Sequence, residues 1–158
     1  MTQMITRFEP DYDARGLCFG IVTSRFNAPV CNGLRDACVT ELVKQGAYDQ
    51  DIFLVSVPGA LEIPLALQKM AATGRFDALI ALGAVIRGDT YHFEVVANES
   101  ASGVSAVQLD AGIPVANGIL TTNTDEEAVV RMIQKGMEAA QAAIEMANLL
   151  KKLDRITQ

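Results

Sequence analysis

The sequence predicts a single α/β domain in which helices cover both faces of a four-stranded parallel sheet. Two observations lead to this fold class. Four short apolar runs alternate along the chain with segments of helical periodicity, which is the pattern of repeated β-α units. The chain has 158 residues, half of them apolar and a fifth charged, which suits one domain with a proper core. Right-handed crossovers then give a three-layer α/β/α sandwich.

The first two β-α units occupy the N-terminal half of the chain. Gly16–Thr23 is a short apolar run that predicts a buried strand, and Val30–Gln45 carries apolar groups at helical spacing until a glycine ends it. Asp51–Val57 predicts the second strand. The turn at Pro58-Gly59 leads to the helix Ile63–Ala72, which tolerates a proline because that proline lies in the first turn.

The last two units contain the most apolar strand and the longest helix. Asp77–Ile86 lacks polar alternation, so we expect it to be buried on both faces of the sheet. The helix Tyr91–Asp110 and the strand Val115–Thr121 follow. Thr124–Glu127 has the capping-box pattern, so a long helix begins there and runs to about Leu153.

The first 15 residues precede the predicted domain, which spans residues 16–158. They are polar and irregular apart from Met4–Phe8, and we expect an N-terminal arm with a candidate strand for pairing with a neighbouring subunit. Acidic side chains stand where a signal peptide needs an apolar core. No apolar segment has the length of a membrane span.

Charge and cysteine content exclude several classes of partner. The net charge of −6 without a basic run argues against nucleic acid and anionic membranes as partners. Three cysteines without metal-ligand spacing indicate reduced thiols and a cytoplasmic protein. Cys31 and Cys38 lie seven residues apart on one helical face, which favours a role in the core.

Several common nucleotide and catalytic motifs are absent from the sequence. There is no G-x-G-x-x-G after the first strand, no P-loop, and no phosphate loop of the flavodoxin type. One histidine and unclustered thiols argue against a metal site, and no serine stands in a nucleophile elbow. These absences argue against dinucleotide, P-loop and flavodoxin-type binding and against a zinc or iron site.

Four loops should converge at one edge of the predicted sheet, because ligands of such folds bind at the carboxyl ends of parallel strands. These loops are Ser24–Asn27, Pro58–Glu62, Arg87–His92 and Thr121–Asp125. The third contains His92, the only histidine, between two aromatic residues. Packing of its ring and proton transfer near neutral pH are the two interpretations that remain open.

Three side chains in or beside these loops each allow a structural and a functional interpretation. Phe26 could pack as a hydrophobic side chain on the neighbouring helix, or its ring could stack on a flat heterocycle. The two interpretations are equally favoured. Glu62 is a carboxylate favoured by a helix N-terminus, or an acceptor for the hydroxyls of a polyol. Arg131 is an exposed partner of Glu127 at i, i+4, which is the favoured interpretation, or a phosphate clamp.

The turn Gly88-Asp89-Thr90 also allows two interpretations. Backbone N–H groups ahead of a helix can receive an anion, and glycine allows a ligand to approach closely. Asp89 or Thr90 could equally serve as an ordinary helix N-cap.

Taken together, these segments resemble the lumazine synthase family. The match lies in SRFN at 24–27, VPGALEIPLAL at 57–67, FDALIALGAVIRGDTYHFEVVANES at 76–100, PVANGILTTNTDEEA at 114–128 and IEMANL at 144–149. It covers roughly residues 16–150 and all four β-α units. The resemblance implies a flavodoxin-like fold with strand order 2-1-3-4. It also implies the cofactor-independent condensation of 5-amino-6-ribitylaminouracil with 3,4-dihydroxy-2-butanone 4-phosphate to 6,7-dimethyl-8-ribityllumazine.

The resemblance assigns roles to particular residues of this chain. Those that it places at the ribitylaminouracil are Phe26, Ala60, Leu61, Glu62, Ala84, Val85, Ile86 and Asn117. Asn117 stands where many members of the family have an aromatic residue, so it offers hydrogen bonds instead of a ring face. Asp89, Thr90 and Arg131 would bind the butanone phosphate, and His92 would transfer protons. Two further candidates are Asn27 and Lys135.

The resemblance also implies an assembly. Members of the family form pentamers, many of which close into icosahedral shells, with active sites between neighbours. We expect the Phe26 side of one chain to face Arg131 and His92 of the next, and riboflavin synthase is a candidate partner. A non-catalytic flavin-binding or shell-forming protein on the same fold, and a riboflavin synthase of the archaeal type, remain the alternatives.

Overall fold

The computed structural model describes residues 4–157 and contains one four-stranded parallel sheet between two layers of helices. The sheet has the order β2-β1-β3-β4, as predicted. The strands are β1 (Phe19–Ser24), β2 (Ile52–Val57), β3 (Ala78–Ile86) and β4 (Val115–Thr122). The helices are α1 (Ala28–Lys44), α2 (Ile63–Ala71), α3 (His92–Ala111) and α4 (Asp125–Asp154). Short 3-10 helices occupy Asp49–Asp51, Ala60–Glu62 and Arg155–Thr157.

β3 is the central buried strand that the sequence predicts. It pairs with β1 on one side and with β4 on the other, and every residue from Ala78 to Val85 is buried. Both faces of this strand are covered by helices, which explains the absence of polar alternation in its sequence.

The core consists of two apolar layers, one on each face of the sheet. One layer joins α1 and α4 to the sheet through Leu34, Cys38, Leu42, Ala140 and Ile144. The other joins α2 and α3 to the opposite face through Ile63, Leu67, Val104 and Val107. Cys31 and Cys38 are buried free thiols, as predicted, and burial raises the pKa of Cys38 to about 12.

α4 begins at the predicted capping box and continues without a break for 30 residues. The Thr124 hydroxyl accepts the N–H of Glu127 at 3.1 Å. The Glu127 carboxylate in turn accepts the N–H groups of Thr124 at 3.0 Å and Asn123 at 2.9 Å. These contacts satisfy N–H groups that the start of a helix leaves without backbone partners.

The first strand begins later than predicted. Gly16 has φ +80°, and the N–H of Leu17 donates to the carbonyl of Ala14 at 3.1 Å, so a turn occupies the predicted start of the strand. The apolar character of Leu17 reflects its burial at this turn and not strand pairing.

Part of the predicted N-terminal arm is attached to its own domain. The Tyr12 hydroxyl donates to Glu145 at 2.8 Å, and the Asn148 amide donates to the carbonyls of Asp11 at 2.9 Å and Asp13 at 3.0 Å. Residues 4–10 are exposed and form no strand within this chain. Residues 1–3 of the arm lie outside the described residues, and strand pairing with a neighbour stays a prediction. Between residues 4 and 157, no helix is long and apolar enough to cross a membrane.

Candidate active site

A pocket of about 350 Å³ opens at the carboxyl edge of the sheet. It lies where the loops after β1, β2 and β3 meet the first turns of α2 and α3. The residues that line it are Phe26, Asn27, Gly59, Ala60, Leu61, Glu62, Ala84, Val85, Ile86, His92 and Val96. Nine of these are candidates from the sequence, so three of the four predicted loops converge as expected.

The Phe26 ring forms one wall of this pocket. Its side chain is 68% exposed, which excludes the interpretation as a hydrophobic plug within this chain. A Cβ added to Gly59 would lie 2.9 Å from two carbons of the Phe26 ring and 3.3 Å from a carboxylate oxygen of Glu62. The absence of a side chain at this glycine therefore lets the aromatic ring of one loop and the carboxylate of another approach the same backbone position.

Two hydrogen bonds hold the C-terminal end of the loop that carries Phe26. Asn27 has left-handed backbone angles, φ 57° and ψ 54°, which asparagine tolerates better than most residues. Its amide Nδ2 donates to the carbonyl of Ala84 on β3 at 3.4 Å. The buried Cys31 thiol donates to the carbonyl of Phe26 at 3.1 Å. Strain at a non-glycine residue that lines a pocket is typical of functional sites.

His92 lines the same pocket and is the first residue of α3. Its backbone N–H donates to the hydroxyl of Thr90 at 3.3 Å, so Thr90 satisfies the first N–H group of the helix from the loop before it. His92 is exposed, which excludes the interpretation as a packed core residue within this chain. Asp89 and Thr90 are exposed and line neither the pocket nor the groove described next.

A second, polar groove of about 320 Å³ lies at the end of β4. The residues that line it are Ile119, Leu120, Thr121, Thr122, Asn123, Glu127, Arg131 and Lys135. The Arg131 guanidinium donates to the carbonyl of Glu127 at 2.8 Å, whereas Oε1 of the Glu127 carboxylate accepts two N–H groups of the capping box. The favoured interpretation, an ion pair between these two residues, is therefore wrong. A guanidinium and an ammonium line one groove.

The predicted grouping of site residues differs from the observed one in two respects. We expected Phe26 of one chain to face His92 and Arg131 of the next, but Phe26 and His92 line the same pocket of one chain. β1 and β3 are adjacent strands, so their loops meet, whereas α4 packs on the opposite face of the sheet from α3. Asn117 is exposed on the edge strand β4, where its side chain accepts the N–H of Ile119 at 2.9 Å, and it lines neither site.

The sequence did not single out two residues of the pocket. Gly59 was interpreted only as part of a turn, although a glycine beside a functional loop often permits a close approach. Val96 lies four residues after His92, so helical spacing alone would have placed it on the same face of α3.

Comparison with known proteins identifies the family of this chain. The family model described as 6,7-dimethyl-8-ribityllumazine synthase matches residues 16–151. A relative of that name from Nitrosospira multiformis is 64% identical over 154 residues, covering 98% of this chain and 96% of the relative. Another from Paraburkholderia phymatum is 62% identical over 152 residues, covering 96% of this chain and 88% of the relative. The relative from Burkholderia vietnamiensis is 60% identical over 152 residues, covering 96% and 90% respectively. This chain belongs to the 6,7-dimethyl-8-ribityllumazine synthase family.

Proposed function

We propose that this protein is a lumazine synthase that condenses 5-amino-6-ribitylaminouracil with 3,4-dihydroxy-2-butanone 4-phosphate, with release of phosphate and water. This is the penultimate step of riboflavin biosynthesis. One observation supports the proposal above all others. An aromatic ring, a carboxylate and an imidazole that lie far apart in the sequence line a single pocket, at Phe26, Glu62 and His92.

Each wall of the pocket suits one part of the ribitylaminouracil. The exposed Phe26 ring offers a face on which the pyrimidine stacks. Glu62 is an exposed carboxylate that accepts hydrogen bonds from the ribityl hydroxyls. The last residues of β3, from Ala84 to Ile86, offer backbone groups to the edge of the pyrimidine.

The chemistry then needs orientation and proton transfer. The 5-amino group attacks the butanone carbonyl and loses water to form an imine, and phosphate leaves. After rearrangement, the ribityl-bearing nitrogen attacks the remaining carbonyl carbon and a second water leaves, which closes the ring of the lumazine. An imidazole can accept and donate protons near neutral pH, and His92 lines the pocket proposed to hold the ribitylaminouracil, which supports a role in proton transfer. Most of the rate enhancement comes from holding two already reactive substrates together.

The phosphate substrate requires cations that the pocket lacks. No lysine or arginine lines the pocket, whereas Arg131 and Lys135 line the separate groove. We infer that the groove of a neighbouring subunit closes against the pocket, with Asp89 and Thr90 at the seam. Asn117, on the same edge strand as the groove, would reach the heterocycle from that neighbour. A pentamer, or an assembly of pentamers, provides such repeated contacts.

Two variants test the proposed activity. His92→Ala should lose turnover of both substrates, and Arg131→Ala should weaken use of the butanone phosphate, measured as lumazine formation against its concentration. Lys69→Ala, a lysine on the last turn of α2, is a control for loss of a surface charge. An unchanged KM for the phosphate substrate in Arg131→Ala would show that Arg131 does not bind the phosphate.

Hybrid oligomers test the shared site directly. Neither single variant can complete a site alone, but a mixed assembly places the intact pocket of an Arg131→Ala chain against the intact groove of a His92→Ala chain. Co-expression of the two chains should therefore restore part of the activity. Absence of any recovery in verified mixed oligomers would show that each chain carries a complete site.

An assay in which lumazine alone is offered to the protein separates the remaining alternatives. A binding or shell protein would take up lumazine without forming it, and a riboflavin synthase would convert lumazine to riboflavin. We place the enzyme in the cytoplasm, because Cys18, Cys31 and Cys38 are all free thiols. Riboflavin synthase, which consumes the product, remains a candidate partner.

A further inference from the structure

We propose that Arg87 is a positioning residue that fixes the His92 pocket and the Arg131 groove of one subunit relative to each other. The inference rests on the proposed function, because it assigns the two sites to one reaction. Arg87 follows the last residue of β3 and lines neither site. It lies between them, since its neighbour Ile86 lines the pocket and its partner Asn123 lines the groove.

The guanidinium of Arg87 joins two loops and a helix. Nε donates to the Asn123 side chain at 2.8 Å, ahead of α4. Nη1 donates to the carboxylate of Glu94 in the first turn of α3. The backbone N–H of Arg87 also donates to the carbonyl of Thr122 at 2.9 Å, which continues the pairing of β3 with β4 beyond the strand.

An aromatic contact fixes the plane of the same guanidinium. The central carbon of Arg87 lies 4.3 Å from the centre of the Phe93 ring, within the range of a cation–π contact. Phe93 and Glu94 directly follow His92 in α3. The side chain that holds Asn123 therefore also holds the two residues next to the imidazole.

A single surface ion pair would not carry this role. The side chains of Arg87 and Glu94 are 46% and 33% exposed, and exposed pairs contribute little stability on their own. The geometry is constrained because one planar guanidinium contacts an amide, a carboxylate and an aromatic ring together. A lysine has a single charged nitrogen and no planar face, so it cannot reproduce all three.

The consequence concerns two active sites and not one. If the pocket of one subunit faces the groove of the next, each Arg87 stands between halves of two different sites. A shift of its loop would therefore displace His92 in one site and Arg131 in the adjacent one. Misplacement of reacting groups by about 1 Å lowers rates by roughly 100-fold.

Steady-state kinetics of Arg87→Gln and Arg87→Lys test this role. We expect kcat to fall by roughly ten- to 100-fold in Arg87→Gln. KM for the ribitylaminouracil should hardly change, and KM for the butanone phosphate should rise less than in Arg131→Ala, because the Arg131 guanidinium is displaced and not removed. Arg87→Lys should recover only a part of kcat. Full activity of Arg87→Lys would overturn the bridging role, and so would a loss confined to KM for the phosphate substrate, which would indicate direct phosphate binding.

A double-mutant cycle with Asn123→Ala keeps the test independent of folding. If Arg87 acts through Asn123, the losses in kcat of the two single variants should not add in the double variant. Additive losses would contradict the proposal. Arg75→Gln is the matched control, because Arg75 also stands over a phenylalanine, 5.3 Å from the Phe53 ring, at the other edge of the sheet. It should leave kcat unchanged.

The outcomes distinguish this inference from the proposed function. If the wild-type assembly forms no lumazine, the proposed function is wrong. If it forms lumazine and Arg87→Gln turns over at the wild-type rate, the function stands and the positioning role is wrong. Should Arg87→Gln fail to assemble, the comparison of Asn123→Ala with Arg75→Gln decides, and an Asn123→Ala enzyme with wild-type kcat would reject the bridge.

Discussion

The ring of Phe26 occupies the space in which a side chain on Gly59 would begin. A Cβ at that position would lie 2.9 Å from Cδ2 and from Cε2 of the ring, closer than real Cβ atoms approach carbon. The backbone of Gly59 is extended, with φ −146°, so a side chain is excluded there by the ring and not by the backbone conformation. The aromatic wall of the pocket thus depends on the absence of a side chain on the next loop.

We predict that Gly59→Ala weakens binding of the ribitylaminouracil without unfolding the protein. The methyl group must displace the Phe26 ring, which is exposed and can move. Stacking of a base on an aromatic ring contributes about 1–3 kcal/mol, so complete loss raises KM by roughly five- to 150-fold. The rise in KM of Phe26→Ala sets the upper limit for this effect. Because both changes remove the same contact, the double variant should be no worse than Phe26→Ala, and a further additive loss would contradict the prediction.

The left-handed backbone of Asn27 predicts a difference between two small substitutions. Asn27→Gly accepts φ 57° without strain, whereas Asn27→Ala pays the steric cost of a Cβ in that region, roughly 1–2 kcal/mol. Both lose the same contact to Ala84, which at 3.4 Å is a weak hydrogen bond. Urea unfolding should therefore rank Asn27→Gly above Asn27→Ala in stability. The opposite order would show that unfolded-state entropy outweighs the strain.

Acid should destabilise the pairing of α1 with α4 through Glu41. This carboxylate is 3% exposed and accepts the amides of Gln45 at 2.8 Å and Gln141 at 3.1 Å. These hydrogen bonds hold its pKa below the ordinary value of 4.5. The contribution to stability is therefore present above pH 4.5 and is lost as the pH falls through the lower, folded-state pKa.

The comparison with Glu41→Gln isolates that contribution. The glutamine keeps an oxygen that accepts hydrogen bonds, but its amide does not titrate. The difference in unfolding free energy between wild type and variant should be largest at neutral pH and should shrink below pH 4.5. A difference that stays constant with pH would mean that Glu41 contributes only by its shape.

The sequence predicted elements whose causes are local. Helical spacing, turn residues and the Thr124–Glu127 pattern placed α4 and its start, and an unbroken apolar run identified β3 as central. The predicted start of β1 was wrong because apolar character alone does not distinguish a strand residue from a residue buried at a turn. Leu17 is such a residue.

Contacts between distant segments were not predictable in the same way. Arg87 finds partners 7 and 36 residues away, and nothing in the local pattern around it indicates either contact. The pairing of Arg131 with Glu127 failed for a related reason. Their spacing is right, but the Glu127 carboxylate turns back to the capping box and the guanidinium donates to the Glu127 carbonyl instead. The direction in which each side chain turns depends on contacts that spacing alone does not show.

The close packing of α3 against α2 at Gly103 leads to the last prediction, which connects helix packing to the active site. A Cβ on this residue of α3 would lie 2.5 Å from Cγ and 2.7 Å from Cβ of Pro64 in the first turn of α2. A proline ring is rigid, so the two helices must separate. Overpacking costs about 1–3 kcal/mol, against about 1 kcal/mol that alanine gains over glycine in a helix.

We therefore expect Gly103→Ala to be neutral to destabilising by up to about 2 kcal/mol. At about 2–4 °C per kcal/mol for a chain of this size, its melting temperature should fall by several degrees at most. Activity should fall more clearly, because α2 begins next to Glu62 and α3 begins at His92. Ser105→Ala, at an exposed position of α3, is the control for helix propensity. A Gly103→Ala enzyme that is both more stable than wild type and fully active would show that the helices absorb the methyl group without moving the two ends of the pocket.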